Sequence, residues 1–179
     1  GDWDAAGAVL AAAARSLQTA GADFIVLCTN TMHKVASSIE AAVSIPLLHI
    51  ADATAAAIKQ AGCRRVGLLG TKFTMQQPFY RDRLSEQHGI EVLLPNEDEQ
   101  DNLHRIIYQE LCQGVIDPES KQTVRKMMAG LAWQGVDGII LGCTEIGLLV
   151  GKADAAVPLF DTTIIHAKAA VELALSDSK

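Results

Sequence analysis

A repeated segment that ends in polar side chains most strongly constrains how this chain can fold. Residues 21–31 (GADFIVLCTNT) and 135–145 (GVDGIILGCTE) align without a gap. In both copies an apolar run typical of a strand buried on both faces ends in small polar residues. Open parallel α/β sheets bind ligands beyond the carboxyl ends of their strands. Because the alignment places Thr29 at the position of Cys143, we expect these two residues on opposite sides of one cleft.

The similarity between the two copies continues beyond these strands. A helix-like stretch is followed in each copy by a predicted short strand with proline at or near its start, at 43–48 and at 156–160. Each strand is followed by an aspartate that could cap a helix, Asp52 in the first copy and Asp161 in the second. Such features, matched in the same order, indicate a duplicated α/β unit.

The duplication predicts an α/β fold with two pseudosymmetric lobes, each a parallel sheet flanked by helices, and an active site in the cleft between them. The predicted first lobe comprises residues 1–51 and 162–179, and the second comprises 52–161. The second copy opens with a strand at 65–70 and Thr71, roughly 70 residues before Cys143, whereas only residues 1–28 precede Thr29. We therefore expect about 50 residues, with an equivalent strand and loop, ahead of Gly1.

Two segments between the repeats are predicted from residue pattern alone. Residues 74–87 are compatible with one helix, and the acidic stretch 95–101 is predicted to be a solvated loop. Apolar residues at helical spacing follow that loop: Leu103, Ile106, Ile107 and Leu111.

Composition restricts the partners and the compartment of the protein. With 179 residues, 49% of them hydrophobic, the chain can bury a sizeable core. A net charge of -6 without a basic run argues against binding to nucleic acid or to an anionic membrane. No apolar stretch approaches the ~18 residues of a membrane span. The four cysteines have neither CxxC nor zinc spacing, so we expect reduced thiols, no metal and a cytoplasmic location.

The polar segments resemble the signatures of the aspartate/glutamate racemase family. The resemblance rests on residues 29–33 (TNTMH) and 142–145 (GCTE), on the turn at 69–71 and on residues 161–167. It implies racemisation of amino acids without a cofactor, and hence without PLP, by two cysteines on opposite faces of the substrate. The resemblance to this family also leads us to expect a homodimer.

The first signature departs from the family pattern at its first position. The usual segment is Cys-Asn-Thr-x-His, but here Thr29 stands first and Cys28 lies one residue earlier. Because successive side chains of a strand point to opposite faces, Cys28 and Thr29 should not both face the cleft. The gapless repeat favours Thr29 as the cleft residue and leaves Cys28 a structural role.

Cys143 is the predicted base for removal of the substrate Cα proton. A thiol with an ordinary pKa of ~8.5 becomes a thiolate when nearby donors or a helix N-terminus lower that pKa. If an alcohol resembles water, its pKa of ~15.7 lies about seven units higher, a handicap near 10 kcal/mol for a base. We therefore expect Thr29 to donate a proton to the carbanion or to orient a water that does. Resemblance to glutamate racemases implies that the second-lobe cysteine acts on the L enantiomer.

Neighbouring polar residues suit recognition of the substrate carboxylate, because helix N-termini and hydroxyl groups favour anions. The resemblance implies that four of them bind the α-carboxylate and amino group: Asn30, Thr31, Thr71 and Thr144. Glu145 occupies a position at which related racemases differ, so it bears on specificity or holds its loop. His33 and His166 are family positions without an assigned role in proton transfer. The remaining histidines and cysteines form no recognisable constellation: His49, His88, His104, Cys63 and Cys112.

Three functional hypotheses remain open. We favour a racemase of aspartate, glutamate or a wider set of amino acids. Other enzymes of the superfamily are the closest alternative, namely maleate isomerases, hydantoin racemases and decarboxylases of disubstituted malonates that use one cleft cysteine. Residues 30–33 favour the racemases. The third hypothesis is a non-catalytic protein that binds amino acids.

Overall fold

Parallel strands flanked by helices make up the computed structural model, which describes residues 2–176. The strands are β1 (Ile25–Val26), β2 (Leu47–Leu48), β3 (Arg65–Gly70), β4 (Glu91–Leu93), β5 (Gly138–Gly142) and β6 (Leu159–Asp161). The helices are α1 (Trp3–Thr19), α2 (Ala36–Glu40), α3 (Ile50–Gln60), α4 (Lys72–Gln76), α5 (Pro78–Asp82), α6 (Glu97–Gln109), α7 (Pro118–Trp133), α8 (Ile146–Leu149) and α9 (Thr162–Ser176). The predicted α/β class is confirmed.

The strands form two parallel sheets. β1 pairs with β2, and the larger sheet has the order β4-β3-β5-β6. At its centre β3 and β5 pair in register from Val66 opposite Gly138 to Gly70 opposite Gly142. Both strands are almost entirely buried, which explains their unbroken apolar sequences, since a parallel sheet is covered on both faces.

Two apolar clusters lie beneath these sheets. The larger cluster combines the central strands with buried side chains of α3, α6 and α7. The smaller cluster contains Ala14, Ile25 and Ile39 and joins α1, β1 and α2. Helix α9 contacts α3, β5 and β6, while the imidazole Nε2 of His166 donates a hydrogen bond to the carbonyl of Leu48 at 2.8 Å. The proposed lobe boundary at residues 51 and 52 stays a prediction.

The helix starts differ in part from those expected. Asp161 accepts the backbone N–H groups of Thr163 and Ile164 and so caps α9 as predicted. The prediction for Asp52 is wrong, because α3 begins at Ile50 and its N-cap is His49, whose ring nitrogen accepts the N–H of Ala51. The carboxylate of Asp52 instead holds a bidentate ion pair with Arg83 at 2.6 and 2.7 Å.

Two segments between the repeats are also corrected. Residues 74–87 do not form one helix, because Pro78 cannot donate a backbone hydrogen bond and Gln77 before it is extended. The acidic stretch is a helix start rather than a loop. Asn96 and Glu99 form a capping box, and the carboxylates that follow Asn96 lie at the positive end of α6.

A pair of glycines lets the two central strands end side by side. Gly70 and Gly142 are register partners at the carboxyl ends of β3 and β5. A Cβ atom on Gly142 would lie 2.9 Å from Cδ1 of Leu68 and 3.0 Å from the carbonyl oxygen of Leu69. Any side chain here would therefore separate the strands just before Thr71 and Cys143.

We predict that Gly142→Ala lowers the free energy of unfolding by about 1 to 3 kcal/mol, because the added methyl group meets backbone that cannot move away. Gly130→Ala is the matched control. Gly130 lies inside α7 with open space around its Cα, and the change should stabilise the protein by up to ~1 kcal/mol. Urea denaturation of both variants measures the difference, and equal stability of the two would contradict the packing argument.

Candidate active site

A cleft of about 270 Å³ opens at the carboxyl ends of β3 and β5, next to the polar segment that follows β1. All six residues expected from the sequence line it: Thr29, Asn30, Thr31, Thr71, Cys143 and Thr144. The volume lies just below the ~300–1,000 Å³ of typical drug-sized ligand sites. The cleft therefore suits a small molecule.

Thr29 lines the cleft, whereas Cys28 is exposed and outside its lining. The sequence attributed this difference between Cys28 and Thr29 to the alternation of side chains along a strand. That explanation does not apply, because β1 ends at Val26, before either residue. The N–H of Thr29 donates to the carbonyl of Leu27 at 2.8 Å, which marks a tight turn beyond the strand. Nδ1 of the His33 imidazole is hydrogen-bonded to the carbonyl oxygen of Thr29 at 2.7 Å and so fixes the backbone at Thr29.

Three threonine hydroxyls join the polar end of the first sheet to the second. The Oγ1 atoms of Thr31, Thr71 and Thr74 lie 3.2 Å from one another. Thr71 is also the N-cap of α4, because its Oγ1 accepts the N–H of Thr74. The capping function and the position in the cleft therefore coexist in Thr71.

Asn30 is fixed by a chain of hydrogen bonds that also determines the orientation of its amide. The hydroxyl of Thr162 donates to the carbonyl of Leu141 at 2.8 Å, so its oxygen is free to accept from Nδ2 of Asn30 at 3.0 Å. This leaves Oδ1 of Asn30 buried and without a partner in the described part of the chain. An unpaired buried acceptor is costly, so a donor from a bound molecule would be favourable here.

Cys143 follows directly after β5 and donates a hydrogen bond to a carboxylate. Its Sγ lies 2.9 Å from Oε2 of Glu145, and the same oxygen accepts the hydroxyl of Thr144 at 2.7 Å. Burial raises the pKa of the Cys143 thiol, and the hydrogen bond and charge of Glu145 raise it further. Burial would also raise the pKa of Glu145, but the hydrogen bonds from Cys143 and Thr144 outweigh it and lower that pKa overall.

The expectation that neighbouring groups lower the pKa of Cys143 is therefore wrong. The backbone N–H of Glu145 acts to lower the thiol pKa, but burial and the carboxylate of the same residue outweigh it. The cysteine rests as a thiol beside an ionised glutamate. Because the thiol pKa rises, the difference in basicity between Cys143 and Thr29 is smaller than the sequence suggested.

Three imidazoles pack behind the first polar segment. His33 lies with its ring centroid 4.4 Å from that of His49 and 6.0 Å from that of His166. Nδ1 of His33 donates to Thr29, because its Nε2 accepts the backbone N–H of Ile50 at 3.2 Å. Burial lowers the pKa of His33 to about 4 and that of His49 to about 3, so both rings are neutral at pH 7. His33 supports Thr29 and does not line the cleft.

One wall of the cleft was not foreseen from the sequence. Ile107 and Tyr108 at the end of α6 and Cys112 in the next turn complete the lining. Tyr108 is the second-last residue of α6, and Cys112 lies in the separate short 3-10 turn of residues 111–113. Helical spacing indicated the stripe, but no local pattern shows that the end of α6 reaches the end of β5.

Other features of the described residues offer less chemistry. A larger groove of about 500 Å³ lies between α3 and α9, but alanines and exposed polar residues make up most of its lining, and it contains no cysteine or hydroxyl group. Within residues 2–176, no group of three or more histidine, cysteine or acidic side chains is arranged to bind a metal ion. None of the helices in that range has both the length and the apolar character needed to cross a membrane.

Comparison with known proteins agrees with this geometry. A model of the Asp/Glu/Hydantoin racemase family matches residues 1–170. The chain belongs to this family. The resemblance seen in the sequence is thus confirmed, as is the prediction of an enzyme of the amino-acid racemase class, a class of isomerases.

Individual relatives support the same assignment. This chain is 58% identical to a candidate Asp/Glu racemase from Yersinia pestis, with a TM-score of 0.93 over 98% of this chain and 76% of that one. It is 38% identical to an aspartate racemase homologue from Pyrococcus horikoshii, with a TM-score of 0.86 over 97% and 76% of the two chains. The broad specificity amino-acid racemase RacX of Bacillus subtilis is 28% identical over 163 residues, which cover 89% of this chain and 68% of RacX.

We predict that His33 makes the stability of this protein dependent on pH. The folded pKa of about 4 lies below the ordinary 6.5, so the unfolded chain binds a proton that the folded chain does not. The contribution of neutral His33 to the free energy of unfolding is therefore fully present above pH 6.5 and is lost as the pH drops toward 4. Between pH 7 and 4.5 the loss from His33 should be about 2 kcal/mol.

Urea denaturation of the parent protein and of His33→Gln at these two pH values measures this contribution. The variant should be less stable at pH 7 and should lose less stability on acidification. The same pH dependence in both proteins would show that burial does not depress the pKa of His33.

Proposed function

We propose that this chain is a cofactor-independent racemase that acts on aspartate, glutamate or a wider set of amino acids. The observation that carries the proposal is that Thr29 and Cys143, at matching positions of the sequence repeat, line one small cleft. The proposed lobes are residues 1–51 with 162–179 and residues 52–161. The smaller apolar cluster lies in the first of them, and the larger lies mostly in the second, although Ile50, Ala51 and Ile165 of the first lobe also belong to it or pack against it. In this proposal each lobe supplies one of the two groups.

The proposed reaction moves protons through these two side chains. For the L enantiomer, the Cys143 thiolate takes the Cα proton, and the hydroxyl of Thr29, or a water that it orients, gives a proton to the opposite face of the carbanion. The D enantiomer follows the reverse path. Exchange with solvent then returns both side chains to their starting protonation states.

The remaining groups of the cleft suit an α-amino acid. Hydroxyl groups of Thr31 and Thr71 can donate to the α-carboxylate, while the hydroxyl oxygen of Thr144, whose proton goes to Glu145, can accept from the α-ammonium group. Glu145 is the one charged side chain among the described lining residues, and Oδ1 of Asn30 is an unpaired acceptor. Both favour the α-ammonium group, which donates three hydrogen bonds.

Burial of Cys143 has two opposite effects on such a reaction. A thiolate with a raised pKa is a stronger base toward a weak carbon acid, but a smaller fraction of the protein carries it at neutral pH. Thr29 is the less available base of the two, because a hydroxyl loses its proton less readily than a thiol and so a much smaller fraction of it is ionised. We expect removal of a proton on the Thr29 side to be the slower step.

We further propose that the enzyme acts in the cytoplasm as a homodimer. The free cysteines, of which Cys28 and Cys112 are exposed, suit a reducing compartment. The homodimer is proposed only because the chain belongs to this family.

The proposal is tested by incubating the protein with single enantiomers of a panel of amino acids and measuring chirality over time. Racemisation of at least one acidic amino acid supports it. Turnover of a disubstituted malonate without racemisation would favour a decarboxylase, and binding of amino acids without any turnover would favour a binding protein.

We predict that Cys143→Ser abolishes exchange of the Cα proton while the fold is retained. A serine hydroxyl is a weaker acid than a thiol, so a far smaller fraction of it is present as the anion that can remove the proton, and each pKa unit corresponds to about 1.4 kcal/mol. The rate should therefore fall by more than a thousandfold, as followed by NMR in heavy water. Cys28→Ser is the matched control because Cys28 is exposed and outside the lining of the cleft. Full activity of Cys143→Ser would exclude the thiolate mechanism.

A further inference from the structure

Glu145 lies in the cleft but has no part in the proton transfers proposed above. Its Oε2 accepts the thiol proton of Cys143 and the hydroxyl proton of Thr144, at 2.9 and 2.7 Å. Across residues 2–176 it takes part in no ion pair within 4.0 Å. A neutral thiol and a neutral hydroxyl are thus the side-chain donors that stabilise its charge.

We propose that Glu145 is a positioning residue that orients the Cys143 thiol and controls when it loses its proton. The inference rests on the proposed role of Cys143 as the proton-transferring group. Glu145 would contact the cysteine and not the reacting carbon, so it would act through Cys143.

The physical reason is the charge that a thiolate would meet at this position. Loss of the thiol proton would place a sulfur anion in contact with a carboxylate and would remove the hydrogen bond between them. The other titratable groups that face the sulfur are the phenol of Tyr108 and the thiol of Cys112. The pKa of each is raised, chiefly by burial, so both are neutral at pH 7 and neither compensates the charge of Glu145.

The threonine and asparagine side chains of the cleft carry no charge either. Glu145 is therefore the one ionised side chain in the described lining, and its hydrogen bond and charge add to the larger effect of burial on the protonation of Cys143. Burial of the sulfur acts in the same direction but does not depend on residue 145. Replacement of the carboxylate by an amide should remove only the part of the rise in the Cys143 pKa that the side chain of Glu145 causes.

This arrangement would serve both directions of the reaction. A thiol held by a carboxylate is an oriented proton donor for a carbanion on its side of the cleft. Once deprotonated, the same sulfur is a stronger base than an ordinary thiolate. Glu145 would thus make the thiolate of Cys143 a stronger base, although a smaller fraction of the protein would carry that thiolate before the reaction.

The test is the pH dependence of alkylation of Cys143 by iodoacetamide in the substrate-free protein. Alkylation follows the thiolate fraction, and peptide mass spectrometry separates Cys143 from Cys28 and Cys112. In Glu145→Gln the inflection of the profile should move down by at least about one pH unit, which raises the rate at pH 7 about tenfold. Glu119→Gln, an exposed glutamate on α7, is the matched control and should behave like the parent.

An inflection in Glu145→Gln that equals that of the parent, or lies above it, would overturn the inference. Circular dichroism checks that the variant is folded, and Glu145→Ala provides the same comparison if the glutamine variant is not. Because the measurement needs no substrate, it is independent of the racemase assay. A shifted inflection in a protein that racemises nothing would refute the proposed function alone, and an unshifted one in an active racemase would refute this inference alone.

Discussion

The parallel pairing of β3 with β5 determines where the cleft chemistry lies. The two strands stay in register to their last residues, Gly70 and Gly142, whose missing side chains allow the chain ends to lie together. Thr71 and Cys143 follow immediately, so a hydroxyl that caps α4 and the thiol share one edge of the sheet. The polar segment of the first sheet then docks on this edge. Thr31 bonds to Thr71 and Thr74, and Asn30 bonds to Thr162.

Electrostatics in the cleft depends on burial and on one carboxylate. The imidazoles behind Thr29 are neutral because burial opposes their charged forms, so they act as rigid hydrogen-bonding groups. The thiol of Cys143 keeps its proton because burial opposes the thiolate and because Glu145 accepts a hydrogen bond from the thiol. A zwitterionic amino acid would add an ammonium group to a cleft whose described lining has one negative charge and no positive charge. This complementarity concerns the ammonium group that all α-amino acids share, whereas carboxylates of the substrate would be bound by neutral hydroxyl donors.

The sequence predicted the positions of the site better than its energetics. Equivalent residues of a repeat occupy equivalent places in a fold, so the alignment of Thr29 with Cys143 and the α/β class could be inferred without coordinates. The wall formed by Tyr108 and Cys112 depends on how far α6 extends over β5, which no local pattern encodes. The pKa of Cys143 depends on the rotamer of Glu145, and the cap of α3 depends on a histidine, a residue type rarely expected there.

The central claim is that Cys143 and Thr29 act on opposite faces of one substrate, and that Cys143 loses its own proton, and so becomes a base, more readily than Thr29 does. Its most direct test is to incubate the L and D enantiomers of a racemised amino acid separately in heavy water and to compare entry of deuterium with inversion. The account predicts that the L enantiomer gains deuterium faster than it racemises, because Cys143 can return a deuteron to the face from which it took the proton. An equilibrium constant of one requires equal kcat/KM for the two enantiomers, so the asymmetry must appear in the exchange itself. Deuterium entry that matches inversion for both enantiomers, at identical rates, would contradict the account.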